Sequence, residues 1–136
     1  SRPAKVGNEN DLSCVLQIEG THGSALLTGD IENAAEAALV RRYGPELATD
    51  VLQIPHHGSK TSSTAGFLKA ASPNYALLSR GRRNRFKHPS PEVMDRYRLG
   101  KIRVWDTGEE GQIDLRSTGS GWKVRTFSSA SAKFWH

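Results

Sequence analysis

Apolar runs of strand length alternate with segments of helical spacing three times in succession. That rhythm restricts the chain to a sheet crossed by helices. Ser24–Thr28, Val51–Ile54 and Tyr75–Leu78 read as short strands. Each is followed by a helical stretch: Ile31–Tyr43 stopped by Gly44-Pro45, Thr64–Ala71 stopped by Ser72-Pro73, and Glu92–Leu99 opened by Pro91 and closed by Gly100. Leu12–Ile18 pairs with the first strand through the turn Glu19–Gly23, and Ile102–Trp105, Gln112–Leu115 and Trp122–Phe127 supply further strands. The expected architecture is a sheet with hairpins at both ends and helices on one face. Residues 1–127 form one unit, and the Ser/Ala-rich residues 128–136 form a loose tail.

The 136 residues suit one domain, and 36% hydrophobic content gives a lean core. No run approaches the roughly 20 apolar residues of a membrane span, and no signal-peptide pattern opens the sequence. The single cysteine, Cys14, excludes an internal disulfide framework and, within its apolar run, is expected to be buried. Net charge is +5 but uneven: residues 1–72 carry −2 and residues 73–136 carry +7. A basic half invites a polyanion.

Polar residues gather just after strand ends, where α/β sheets collect ligands. Asp30 follows the first strand of the alternation, either as an N-cap of the next helix or as a metal carboxylate. His56 and His57 follow the next strand. Adjacent histidines point in different directions, so at most one joins a given ion. The loop after Leu78 packs Arg80, Arg82, Arg83, Arg85 and Lys87 into eight positions, with Phe86 among them, and suits phosphate binding as well as a solvated surface. His88 is a candidate proton donor, phosphate contact or simply a pre-proline residue. Gly58–Ser63 has the composition of a phosphate-binding loop without the spacing of a nucleotide-triphosphate motif.

Leu26–Glu32, Asp50–Ser62, Ser79–Ser90 and the turn Trp105–Gly108 together resemble the metallo-β-lactamase-like domain of the ComEC family, DNA-uptake channels of natural transformation. The resemblance runs from about Asn8 to about Leu115. It implies an αββα sandwich with two divalent ions, zinc or manganese. Asp30 would bridge both ions, His56 would be the late histidine ligand ahead of His57, and Asn8 or Asn10 would stand where related proteins place another ligand. Ser59, Lys60 and the basic loop would hold phosphates. The superfamily's His-x-Asp-x-Asp-His motif occurs nowhere in the chain. The resemblance therefore implies the C-terminal half of the sandwich, with weak metal binding and no catalysis on its own.

The implied function is metal-assisted phosphodiester hydrolysis of the DNA strand that does not enter the cell, on the extracytoplasmic side of the inner membrane, with His88 protonating the leaving oxygen. The implied partners are single-stranded DNA, the missing N-terminal half and a membrane channel domain of the same polypeptide. Self-association through the sheet face left exposed is also expected. A non-catalytic single-stranded-DNA guide and a related hydrolase of a small ester are the alternatives.

Overall fold

A computed structural model describes residues 14–80 and 89–127. β1 (Leu16–Glu19) and β2 (Ser24–Leu27) form an antiparallel hairpin closed by the Gly20 amide on the Gly23 carbonyl, at 2.8 Å. β2, β3 (Val51–Gln53), β4 (Tyr75–Leu78) and β5 (Arg103–Asp106) then run parallel, giving the order β1-β2-β3-β4-β5. The crossovers are α1 (Asn33–Tyr43), α2 (Ala65–Ala71) and α3 (Pro91–Leu99). Each crossover steps to the next neighbour in the same direction. The right-handed rule therefore puts all three helices on one face, as the alternation of the sequence predicts.

The core lies between that face and the helices. Leu26, Leu52, Ala76 and Leu78 from the strands meet Phe67, Leu68, Val93 and Tyr97 from α2 and α3, with Leu47 from the 3₁₀ turn Gly44–Leu47. Local chemistry sets the helix ends. The Thr64 hydroxyl accepts the Phe67 amide at 3.3 Å to cap α2, left-handed Ser72 ends it, and Pro91 opens α3. α1 begins two residues later than the sequence suggests. Its N-cap is Glu32, no side chain caps it, and the Asn33 amide instead donates to the Thr61 carbonyl at 2.8 Å. The capping role available to Asp30 is therefore not taken.

On the opposite face, Leu16, Ile18 and Leu27 remain 37–55% exposed. Cys14, expected to be buried, is exposed as well, because the chain there leads into the edge strand β1, whose residues are all exposed. After the one-turn helix α4 (Thr107–Glu110), β6 (Gln112–Thr118) and β7 (Gly121–Phe127) form a separate antiparallel ribbon. β6 runs past Leu115 because Ser117 and Thr118 continue the pairing without apolar side chains. The ribbon is latched to the first turn. Trp122 lies so close over Gly23 that a Cβ there would stand 2.4 Å from the indole.

Candidate functional site

β2 and β3 are parallel neighbours, with Leu26 beside Leu52, so their carboxyl ends deliver Asp30 and the histidine pair side by side. Gln53 stitches the two exits together. Its side-chain oxygen accepts the Thr28 and Gly29 amides at 3.0 and 3.1 Å, and the His56 amide donates to the Gly29 carbonyl at 3.0 Å.

The backbone then makes a turn that L-residues rarely make. His56 (φ 48°, ψ 44°), His57 (φ 52°, ψ 26°) and Gly58 (φ 80°) are left-handed in succession. For each histidine this costs about 1–2 kcal/mol. The surroundings hold it in place. The Ser59 amide donates to the His56 carbonyl at 3.0 Å, the Ser62 hydroxyl reaches the Pro55 and Ser59 carbonyls at 2.9 and 2.7 Å, and the Ser90 amide donates to the Gly58 carbonyl at 2.8 Å. Only glycine fits at 58, where a Cβ would stand 2.6 Å from the Pro89 side chain.

This turn sends the two imidazoles apart, with centroids 6.4 Å from each other and planes at 57°. His56 Nδ1 meets Glu32 Oε1 at 3.1 Å, and Glu32 also accepts the Thr61 hydroxyl. His57 Nδ1 lies 2.6 Å from the Ser79 carbonyl, and its Nε2 lies 3.5 Å from Asp30 Oδ1. A carbonyl only accepts, so Nδ1 carries the proton. His57 Nε2 then faces the Asp30 carboxylate, so the two present a nitrogen and an oxygen donor side by side. Hydrogen bonding of the remote ring nitrogen to a carbonyl is also the usual support of a metal-binding histidine. His57 is thus placed beside Asp30, and His56 beside Glu32. Among the described residues no group of three or more His, Cys, Asp or Glu side chains is placed to hold a metal, so Asp30 and His57 offer two donors.

The remaining expected site residues fall in different places. Ser59 is buried, with its hydroxyl 3.0 Å from Thr61 Oγ1, while Lys60 is exposed. Arg80 is held by Asp106: Nε is 2.9 Å from both carboxylate oxygens and Nη2 is 2.6 Å from Oδ2. That hydrogen-bonded pairing holds the guanidinium in its charged form even more firmly than usual. Asn8, Asn10, Arg82, Arg83, Arg85, Lys87 and His88 lie outside the described residues, as does the tail.

Sequence reasoning missed a buried polar network beneath the loop. Glu36, with no exposed surface, accepts the Ser63 and Thr64 amides at 2.6 and 2.8 Å. The left-handed Ser63 shares its hydroxyl with the Tyr97 phenol at 2.8 Å. Arg96 donates to the Ser62 and Ser63 carbonyls at 3.3 and 3.2 Å. Burial pushes the Glu36 carboxyl up, against the pull of the two amides and Arg96, and burial likewise raises the Tyr97 phenol. The available signal was Glu32 and Glu36 four residues apart on an alanine-rich helix, which put both on one helix face.

Fold and site together define an α/β domain whose polar residues converge at the carboxyl ends of adjacent parallel strands. No family model matches the chain. It is 40% identical over 116 residues to Competence protein ComA of Neisseria gonorrhoeae, covering 84% of this chain and 17% of that protein. It is 36% identical over 121 residues to ComE operon protein 3 of Bacillus subtilis, covering 89% of this chain and 15% of that protein. An uncharacterized Escherichia coli protein, YcaI, is 35% identical over 127 residues, covering 93% of this chain and 17% of that protein. The chain belongs to the ComEC family and spans about one-sixth of the length of these relatives.

Proposed function

We propose that this chain is part of a metal-dependent nuclease domain serving DNA uptake in natural transformation, built as a metallo-β-lactamase-type αββα sandwich and facing the extracytoplasmic side of a membrane protein. The observation that carries this reading is the pairing of Asp30 with His57 Nε2 at neighbouring strand ends, with His57 Nδ1 fixed on the Ser79 carbonyl. The names of the competence relatives support the biological setting.

Carboxylate and imidazole fit zinc or manganese, and Asp30 and His57 would hold the metal from this half of the sandwich. A bound divalent ion supplies an activated water and stabilises charge on the scissile phosphate. The protein's own residues do the rest. Ser79 fixes the tautomer of His57, Gln53 sets the spacing of the two strand exits, and Glu32 orients the His56 ring through its Nδ1. On this reading Arg82, Arg83, Arg85 and Lys87 neutralise phosphates flanking the cut, with Lys60 at the loop edge, and His88 protonates the leaving oxygen.

The test is cleavage of single-stranded DNA, with zinc or manganese, by a chain extended upstream to include sequence shared with its relatives. Cleavage lost in Asp30→Ala and His57→Ala supports the nuclease. Salt-sensitive DNA binding without any cleavage moves the conclusion to a non-catalytic guide for single-stranded DNA.

A further inference from the structure

The basic loop does not account for all the positive charge of the C-terminal half, and the β6–β7 ribbon concentrates part of the remainder on one surface. Strict alternation sends Ile113, Leu115, Trp122 and Val124 inward, leaving Asp114, Arg116, Lys123, Arg125 and Phe127 exposed on the outer face. The register places Arg116 directly opposite Lys123, and Asp114 opposite Arg125. Like charges directly across a strand pair are unfavourable without an anion to share. A cleft of about 300 Å³ opens there, lined by Asp114, Arg116, Lys123, Val124 and Arg125. At its end Arg125 lies 5.5 Å from the centre of the exposed Phe127 ring.

We propose that this outer face is a second contact for single-stranded nucleic acid, separate from the strand-end site. Arg116 and Lys123 would share a backbone phosphate, and Phe127 would offer a stacking surface to a base. Cations that track a backbone beside an exposed aromatic are the usual means of holding a single strand. The inference rests on the nucleic-acid reading above and adds a place where the strand lies.

Fluorescence anisotropy with a labelled oligothymidylate, over a salt series, tests it on the intact chain. Arg116→Gln/Lys123→Gln is expected to weaken binding roughly tenfold and to flatten the log–log salt slope by about 1.4, as for two lost phosphate contacts on a single strand. Its melting temperature should hold or rise, because the opposed cations are relieved. Phe127→Ala is expected to weaken binding at least fivefold with the salt slope unchanged. Unchanged binding in both variants overturns the ribbon contact while leaving the strand-end reading intact. No binding by the unaltered chain at low salt overturns both. If phosphatidylserine vesicles bind in place of DNA and the same variants release them, the face belongs to a membrane surface and the proposal fails.

Discussion

The loop after β3 has two ends built on opposite principles. At His56–Gly58 the backbone is left-handed and His57 is half exposed beside Asp30. At Ser62–Thr64 the two serines are buried, Thr64 is half-buried, and Glu36, Arg96 and Tyr97 hydrogen-bond the segment. Both ends carry left-handed L-residues, His56 and His57 at one and Ser63 at the other, but only the second is enclosed by a buried hydrogen-bonded frame.

The largest expected effect comes from removing the frame. Glu36→Ala leaves two buried amides without an acceptor and should cost about 2–5 kcal/mol in denaturant unfolding. A smaller loss would show that the network follows the fold rather than holding it. Gly58→Ala strikes the strained end, through both the left-handed φ and the collision with Pro89, and should cost about 2–3 kcal/mol. Tyr97→Phe removes only the phenol that Ser63 meets, for about 1–2 kcal/mol. His57→Gly should be neutral or stabilising, by at most about 1 kcal/mol, because glycine accepts the left-handed turn freely, yet in the upstream-extended chain it should abolish zinc binding measured by calorimetry. A large loss of stability there would mean that the ring, rather than the backbone around it, holds the turn.

The pH dependence of stability sharpens the same contrast. Burial raises the Glu36 carboxyl, so the folded protein takes up its proton more readily than the unfolded chain. Stability from this group is therefore fully present below the ordinary glutamate range and is lost as pH rises through the raised folded value. Arg96 and Tyr97 face the same carboxyl, and the Tyr97 phenol, raised by burial, stays neutral as Glu36 ionises. Melting curves should show this decline, and Glu36→Gln should flatten it.

Most of the scaffold was legible because punctuation and periodicity agree. β4 is bounded as expected between Pro73 and Ser79, and α3 runs between Pro91 and Gly100. The errors share a cause: they depend on what the chain meets in space. Asp30 has the right chemistry for a cap, but the helix starts later because the Asn33 amide finds the Thr61 carbonyl. Cys14 sits in an apolar run, but that run leads into an edge strand. That the loops carrying Asp30 and the histidine pair leave neighbouring strand ends was legible from the order of elements. The directions of the two rings were not, because no residue type encodes two consecutive left-handed L-residues, and that turn decides where each ring goes. The burial of Glu36 was hidden for a related reason: a glutamate within an alanine-rich helix reads as surface until its acceptor role at α2 is seen.

The contact between Trp122 and Gly23 has a consequence for folding order. The β6–β7 ribbon pairs close neighbours in the chain and can close on its own within microseconds, whereas β2 through β5 each wait for a helical crossover. Seating the indole on Gly23 joins the first turn to the final hairpin across nearly the whole described chain. That long closure can be completed only after the parallel sheet exists. In refolding experiments on a Trp105→Phe/Trp135→Phe variant the fluorescence of Trp122 should accordingly lag behind the recovery of helical signal, marking the step at which hairpin and ribbon become one cooperative unit.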